Sequence, residues 1–175
     1  MDVAEPDYGV ALINESKYGY GIKNNNLSLS LLRAPTYPDV DCDRGKHTIK
    51  YTLYPHDCSF ASSDVVKRAY ELNNPCFVVK TTGDGVCDCE YSLVRTQKEK
   101  VVIDTVKRAN KGDGVVMRIY EPIGRRVNEK ITFGYPVNKV YLCDMLENEI
   151  CELSVENNEL ELSLKPFEVI TIKTL

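Results

Sequence analysis

Apolar and polar residues alternate with a period of two over much of the chain, the signature of strands with one dry and one wet face. Leu27, Leu29 and Leu31 alternate with Ser28 and Ser30, and Ile49, Tyr51 and Leu53 alternate with Lys50, Thr52 and Tyr54. Near the C-terminus Leu160, Leu162 and Leu164 alternate with Glu159, Glu161 and Ser163. The run Tyr8–Ile13, YGVALI, is apolar throughout and suits a strand buried on both faces. Asn14 to Lys17 break it. Gly19, Gly21 and Asn24 to Asn26 then supply a turn, so that Tyr8–Ile13 and Leu27–Arg33 are expected to be neighbouring strands. A third strand runs from Lys46 to Tyr54 and is ended by Pro55, which cannot donate to a ladder.

One segment has the helical period. From Ser62 to Leu72, Val65, Val66, Ala69 and Tyr70 form an apolar stripe, with Ser62 or Ser63 as N-cap and Asp64 in the first turn. Asn73, Asn74 and Pro75 stop it, and Cys76–Lys80 reads as a further strand. Gly83-Asp84-Gly85 is a turn signature, after which a strand is expected from Val86 toward Val94. The run Arg95–Lys100 is polar and aperiodic and marks a domain boundary.

Beyond it every segment reads as β. The expected strands are Val101–Val106, Val115–Tyr120, Ile131–Phe133, Val137–Cys143, Ile150–Val155, Glu159–Leu164 and Phe167–Ile172, the first two joined by a glycine-containing hairpin turn at 110–114. The fold class is therefore all-β. We expect part of a large β-sandwich over 1–97 and a smaller C-terminal β-sandwich over 98–175, with one short helix near 63–72.

Bulk properties narrow the function classes. A net charge of -4 and a pI near 5.3 oppose a nucleic-acid or anionic-membrane surface, both of which need a basic patch. No apolar run reaches the roughly 20 residues that cross a bilayer. Seven scattered cysteines, an odd number, and no leader-like start favour a reducing, cytoplasmic setting.

The richest chemistry lies between Arg33 and Gly45. A strand end delivers Arg33 into a proline-stiffened loop holding Asp39, Asp41, Asp43 and Arg44. A guanidinium is a planar, permanent donor that can bridge two hydroxyls of a ligand. Equally, Arg33 could pair with Asp39, Asp41 or Asp43 and only fix the loop. Asn14 and Lys17, on the preceding loop, form a second tier of ligand-facing or plain loop residues.

Other chemistries lack their parts. Zinc needs several histidine, cysteine or carboxylate ligands at about 2.0–2.3 Å. His47 and His56 sit at opposite ends of the expected third strand, with an odd separation that places them on opposite faces. Cys87-Asp88-Cys89 has no second pair at zinc-finger spacing. No metal is expected to bind this chain, and no catalytic residue is assigned in it. The glycine fingerprints of nucleotide sites and the nucleophile elbow of esterases are missing.

Several blocks taken together resemble one family. Tyr8–Tyr20, Leu27–Asp39, Asp43–His56, Tyr70–Pro75, Val101–Arg126 and Glu161–Leu175 resemble, in order, the C-terminal β region of glycoside hydrolase family 38, the α-mannosidases, in its cytosolic and bacterial branch. The resemblance implies a retaining enzyme that hydrolyses terminal α-linked mannose. Its aspartate nucleophile and its zinc or other divalent metal lie in an N-terminal catalytic domain that this chain lacks. That domain is then the expected partner, mannosides are the ligands, and a homo-oligomer is compatible. The resemblance further implies that Arg33 approaches the active site, with Asp43 and Arg44 in the supporting loop. From another class, a standalone carbohydrate-binding or protein-interaction module fits the β pattern; eleven tyrosines suit it and the lack of tryptophan does not.

Overall fold

A computed structural model describes residues 1–83, 85 and 90–175. The chain forms two compact units, Met1–Thr81 and Thr82–Leu175.

In the first unit, β1 (Asp2–Ala4), β2 (Gly9–Asn14) and β5 (Tyr51–His56) form an antiparallel sheet in the order β1-β2-β5. Residues directly opposite in an antiparallel pair share a face. Ala11 and Ile13 thus lie on the same face as Tyr54 and Thr52, and this face receives the helix. That helix, α1 (Val65–Asn73), contributes Val65, Ala69 and Leu72 to a core with Ala11, Ile13, Tyr54 and Phe60. The spacing of 65, 69 and 72 is one stripe of a 3.6-residue period.

Several expectations shift here. Asp64, not a serine, takes the cap position; its carboxylate is engaged by the Tyr54 hydroxyl at 2.7 Å and by Arg68 Nε at 2.9 Å. The glycine-rich stretch before Leu27 is itself a strand, β3 (Tyr20–Lys23), paired with β4 (Asn26–Leu29) through a turn in which Asn24 has φ 54°. The Leu27 strand therefore neighbours β3 rather than Tyr8–Ile13, whose partners are β1 and β5. Pro55 lies within β5, which an edge strand tolerates because its missing N–H costs no ladder bond on the open side. His47 lies outside that strand. Cys76–Lys80 is not a strand: Phe77 is 97% exposed, and among the described residues the segment has no pairing partner to turn β propensity into a sheet.

The second unit is a two-layer sandwich. One layer holds β7 (Val102–Arg108), β8 (Val115–Tyr120), β10 (Val140–Cys143), β11 (Glu149–Leu153) and β14 (Val169–Thr174), in the order β11-β10-β14-β8-β7. The other holds β6 (Val94–Thr96), β9 (Val127–Phe133), β12 (Val155–Glu156) and β13 (Glu159–Leu164), in the order β12-β13-β9-β6. Met117, Ile119, Ile131, Val140, Leu160 and Ile172 pack between the layers, all essentially inaccessible to solvent. By its pairing with β9, β6 belongs to this unit, upstream of the division read from the polar run at 95–100. The strand expected from Val86 begins at Val94; residues 86–89, which include Cys87-Asp88-Cys89, and Asp84 lie outside the described residues.

Two buried carboxylates finish the ends of the sandwich. Glu121 accepts the N–H groups of Ile123 at 2.9 Å, Gly124 at 2.7 Å and Phe167 at 3.0 Å. Glu129 accepts those of Lys98 at 2.7 Å, Lys100 at 3.0 Å and Lys130 at 3.1 Å. A buried carboxylate is tolerated only when its lone pairs are filled in this way. The run 98–100, polar and aperiodic in sequence, is anchored through its main chain by Glu129, and the Lys98 ammonium adds a bond to the Asn128 carbonyl at 3.2 Å.

Candidate functional site

The loop from Arg33 to Gly45 is built around Asp43. Its carboxylate accepts the Ala34 N–H at 2.9 Å and also the Arg33 N–H. Its backbone carbonyl accepts a hydrogen bond from His47 Nε2 at 2.9 Å. Asp43 adopts φ 60° and Ala34 φ 47°, left-handed conformations that let the loop return on itself. Aspartate is among the few side chains that visit this region readily. Inside the loop Asp39 Oδ1 accepts the Asp41 N–H at 2.9 Å, and the Asp39 and Asp41 carbonyls accept the N–H groups of Cys42 and Arg44. The Tyr37-Pro38 peptide bond is cis.

The charges of the loop sort into one ion pair and one unpaired guanidinium among the described residues. Arg44 pairs with Asp41 at 2.5 Å. Arg33 is exposed, and among the described residues its guanidinium makes no ion pair; Asp43 holds its main chain instead. The Arg33 side chain thus has a fixed root and a free head. The Ala34 N–H holds the Asp43 carboxyl below its ordinary value. Partial burial opposes this, while the Arg33 N–H and the charges of His47 and Lys17 add to it.

Lys17, one of the two second-tier residues, makes the smallest of these contributions at Asp43. Asn14, the other, is engaged elsewhere. Asn14 is buried at 8% exposure; its Oδ1 accepts the Lys17 N–H at 2.6 Å and its Nδ2 donates to the Tyr20 hydroxyl. Its carbonyl accepts from Asn73 Nδ2 at 3.2 Å. Those bonds tie β2 to the β3–β4 hairpin and to α1, and leave the Asn14 side chain committed to the scaffold.

A second polar pair escaped the sequence reading. His56 Nε2 donates to Asp2 Oδ1 at 2.9 Å and Nδ1 donates to the Cys58 carbonyl at 2.7 Å, with both side chains of the ion pair buried. The hydrogen bond to Asp2 raises the His56 pKa above its ordinary value against the opposing effect of burial. Gly9 makes room for the ring: a Cβ there would lie 2.3 Å from His56 Cε1. The partners are 54 residues apart, and only the β1-β2-β5 register brings them together.

Among the described residues, no group of three or more histidine, cysteine, aspartate or glutamate side chains is arranged to hold a metal ion. No helix among the described residues is long and apolar enough to cross a membrane. Described cysteines Cys42, Cys58, Cys76, Cys143 and Cys151 are unpaired.

Comparison with known proteins gives a consistent result. The glycosyl hydrolases family 38 C-terminal beta sandwich domain matches residues 100–172, and the family 38 C-terminal domain matches residues 1–41. Mouse alpha-mannosidase 2C1 is 38% identical over 174 residues, covering 97% of this chain and 17% of the mouse protein. Alpha-mannosidase G of Dictyostelium discoideum is 34% identical, covering 98% of this chain and 16% of its own length. The chain thus spans about one sixth of the length of these relatives. A glycosyl hydrolase family 38 protein from Enterococcus faecalis has the same fold over 98% of this chain, with a TM-score of 0.76 at 19% identity.

Proposed function

The chain belongs to glycosyl hydrolases family 38 as part of its C-terminal β-rich region, and on that premise we propose that it completes an α-mannosidase acting on terminal α-linked mannose with retention of configuration. Retaining glycosidases place two carboxyl groups about 5–5.5 Å apart, one as nucleophile and one as acid and then base. In this reading both carboxyls and a divalent metal such as zinc sit in the amino-terminal catalytic domain. The described residues of this chain offer no cluster fit for a metal, so none of its roles is routed through one.

What the chain contributes is a wall. The observation that supports this is the division of labour at the loop: Asp43 clamps the main chain of Arg33 and Ala34, while the Arg33 guanidinium stays unpaired among the described residues. A fixed cation with five donors can grip hydroxyls of a mannoside or orient a carboxylate of the catalytic domain. Arg44, held by Asp41, braces the loop, and Lys17 adds positive charge on its flank. The unpaired cysteines among the described residues fit a cytoplasmic enzyme.

The test is hydrolysis of an aryl α-mannoside, with and without added zinc, by a complete family 38 protein carrying this region. Arg33→Ala is expected to lower kcat/KM at least tenfold. The 175-residue chain alone is expected to be inactive. Turnover by the isolated chain would overturn the division of labour, and full activity of Arg33→Ala would remove Arg33 from the site.

A further inference from the structure

The five-stranded layer of the second unit has an outer face that is not open to water. Met117, Ile119 and Ile172 pack between the layers, so Val116, Arg118 and Thr171, which alternate with them, point to the other side. Val116 and Thr171 are nevertheless 0% and 2% exposed. The connection 144–148, between β10 and β11, is strapped to this face. Asp144 shapes the strap by accepting the N–H groups of Leu146 at 2.8 Å and Asn148 at 2.9 Å. Glu147 fastens it to β7 and the turn that follows, pairing with Lys107 and accepting the Asn110 N–H at 2.7 Å. Met145 lies in the strap over two donors: its carbonyl accepts from Arg118 Nη2 at 3.1 Å, and its sulfur accepts from the Thr171 hydroxyl at 3.9 Å. Arg118 and Thr171 are directly opposite in the β8–β14 register, so both donors rise from one spot. A third donor there is unused. Arg118 Nε is buried and has no hydrogen-bond partner among the described residues. A buried charged donor without an acceptor is costly, and a thioether sulfur is only a weak acceptor.

We propose that Met145 is a site of reversible oxidation, and that its sulfoxide oxygen is received by Arg118 Nε and the Thr171 hydroxyl. The oxidant is a hydroperoxide such as hydrogen peroxide. A sulfur lone pair attacks one peroxide oxygen, and the S–O bond forms as the O–O bond breaks. The proton of the transferred oxygen passes to the departing hydroxide, which leaves as water. Sulfur loses two electrons and the peroxide gains them. A thiol-dependent sulfoxide reductase reverses the step, oxidising two thiols to a disulfide and releasing the oxygen as water. Of the three methionines, Met145 is 59% exposed, whereas Met117 is sealed in the core and Met1 is the first residue. Sulfoxidation ordinarily disrupts a fold by putting a polar group among apolar ones. At Met145 the new acceptor meets donors already in place, so the strap is held more firmly after oxidation than before. Every group involved lies in the second unit, and the inference stands apart from the enzymatic reading.

The test treats the full 175-residue chain with hydrogen peroxide and then with a small thiol, which restores sulfenic acids and disulfides of cysteine but leaves sulfoxides. Peptide mass mapping should find Met145 oxidised roughly tenfold faster than Met117. In proton–nitrogen NMR spectra the Arg118 Nε–H should exchange with water roughly tenfold more slowly in the oxidised chain, because it has gained an acceptor. The thermal midpoint should rise on oxidation. Met145→Leu and Arg118→Leu should each abolish that rise; if Arg118→Leu does not fold, Thr171→Val takes its place and should diminish it. Equal rates at Met145 and Met117 overturn the proposal. So does Arg118 Nε–H exchange that oxidation leaves unchanged, or a midpoint that falls or stays where it was. A rise that survives undiminished in the Met145→Leu, Arg118→Leu or Thr171→Val chain overturns it as well, since the stabilising oxygen then sits elsewhere.

Discussion

Asp43 holds the chain nine residues upstream by its main chain: the carboxylate takes the Ala34 N–H at 2.9 Å together with the N–H of Arg33. The loop is thereby closed without using the guanidinium. Removing the clamp should resemble removing the arginine. In a complete family 38 protein, Asp43→Ala is expected to reduce kcat/KM on an aryl α-mannoside about as far as Arg33→Ala. The double variant should be little worse than either, because both act through one group. Steady-state kinetics of the three variants decide it, and additive losses would separate the two residues.

The same clamp is sensitive to acid. The folded state lowers the Asp43 pKa, so its contribution is complete above the ordinary carboxylate value and is lost as pH falls through the depressed one. Protection of the Ala34 amide against hydrogen exchange, corrected for intrinsic rate, should drop on acidification in the unmodified chain. Asp43→Asn should show a flat, lower profile.

His56 works in the opposite direction. Its pKa is raised chiefly by Asp2, so its contribution is complete below the unfolded value of about 6.5 and fades as pH rises through the higher folded one. Asp57 adds negative charge nearby. The first unit should therefore become less stable on the alkaline side, and His56→Gln should abolish that slope. An NMR titration of the His56 ring, with thermal melts across the same range, provides the check.

Glu121 tests the sandwich. Burial pushes its carboxyl up, but the N–H groups of Phe167, Ile123, Gly124 and Arg125 outweigh burial and leave it below its ordinary value. Glu121→Gln keeps the shape but has one acceptor oxygen for those donors. A loss on the order of 2 kcal/mol is expected in chemical denaturation at neutral pH. The difference from the unmodified chain should shrink in acid, where the native carboxylate becomes protonated.

Two glycines with positive φ should respond unequally to alanine. At Gly114, φ 119°, a Cβ would sit 2.4 Å from the Thr174 backbone carbonyl, which β14 holds in place. At Gly124, φ 84°, it would meet the ring of Phe167, a side chain 69% exposed and able to swing away. Gly114→Ala is expected to cost roughly 3 kcal/mol and Gly124→Ala about 1 kcal/mol. Far-UV circular dichroism against denaturant would order them.

The second unit was the more legible part because its strands obey a strict period of two; Leu160, Leu162 and Leu164 point inward as their alternation with Glu159, Glu161 and Ser163 requires. The helix was legible for the same reason at its own period. What failed depends on partners rather than on local pattern. Tyr20–Lys23 looked like a turn because Gly19 and Gly21 frame Tyr20, and it becomes a strand only through β4. Cys76–Lys80 has strand-forming residues but, among the described residues, no strand to join. At the loop, sequence located the charged residues but not their assignments. A side chain to main chain bond such as Asp43 to Ala34 depends on the positive φ at both residues, which composition does not encode. Arg33 came forward from its place at the head of the charged, proline-stiffened loop, and the family resemblance strengthened that reading.

Glu121 and Glu129 bear on how this region can change over generations. Each gathers main-chain N–H groups, so the loops carrying Lys100, Ile123 and Phe167 are anchored through their backbone, whereas Lys98 also donates from Nζ to the Asn128 carbonyl. Mutational drift at Lys100, Ile123 and Phe167 should cost folding less than change at the two glutamates. The loop ends of the sandwich are thereby open to selection for whatever they touch, independently of the scaffold that carries them.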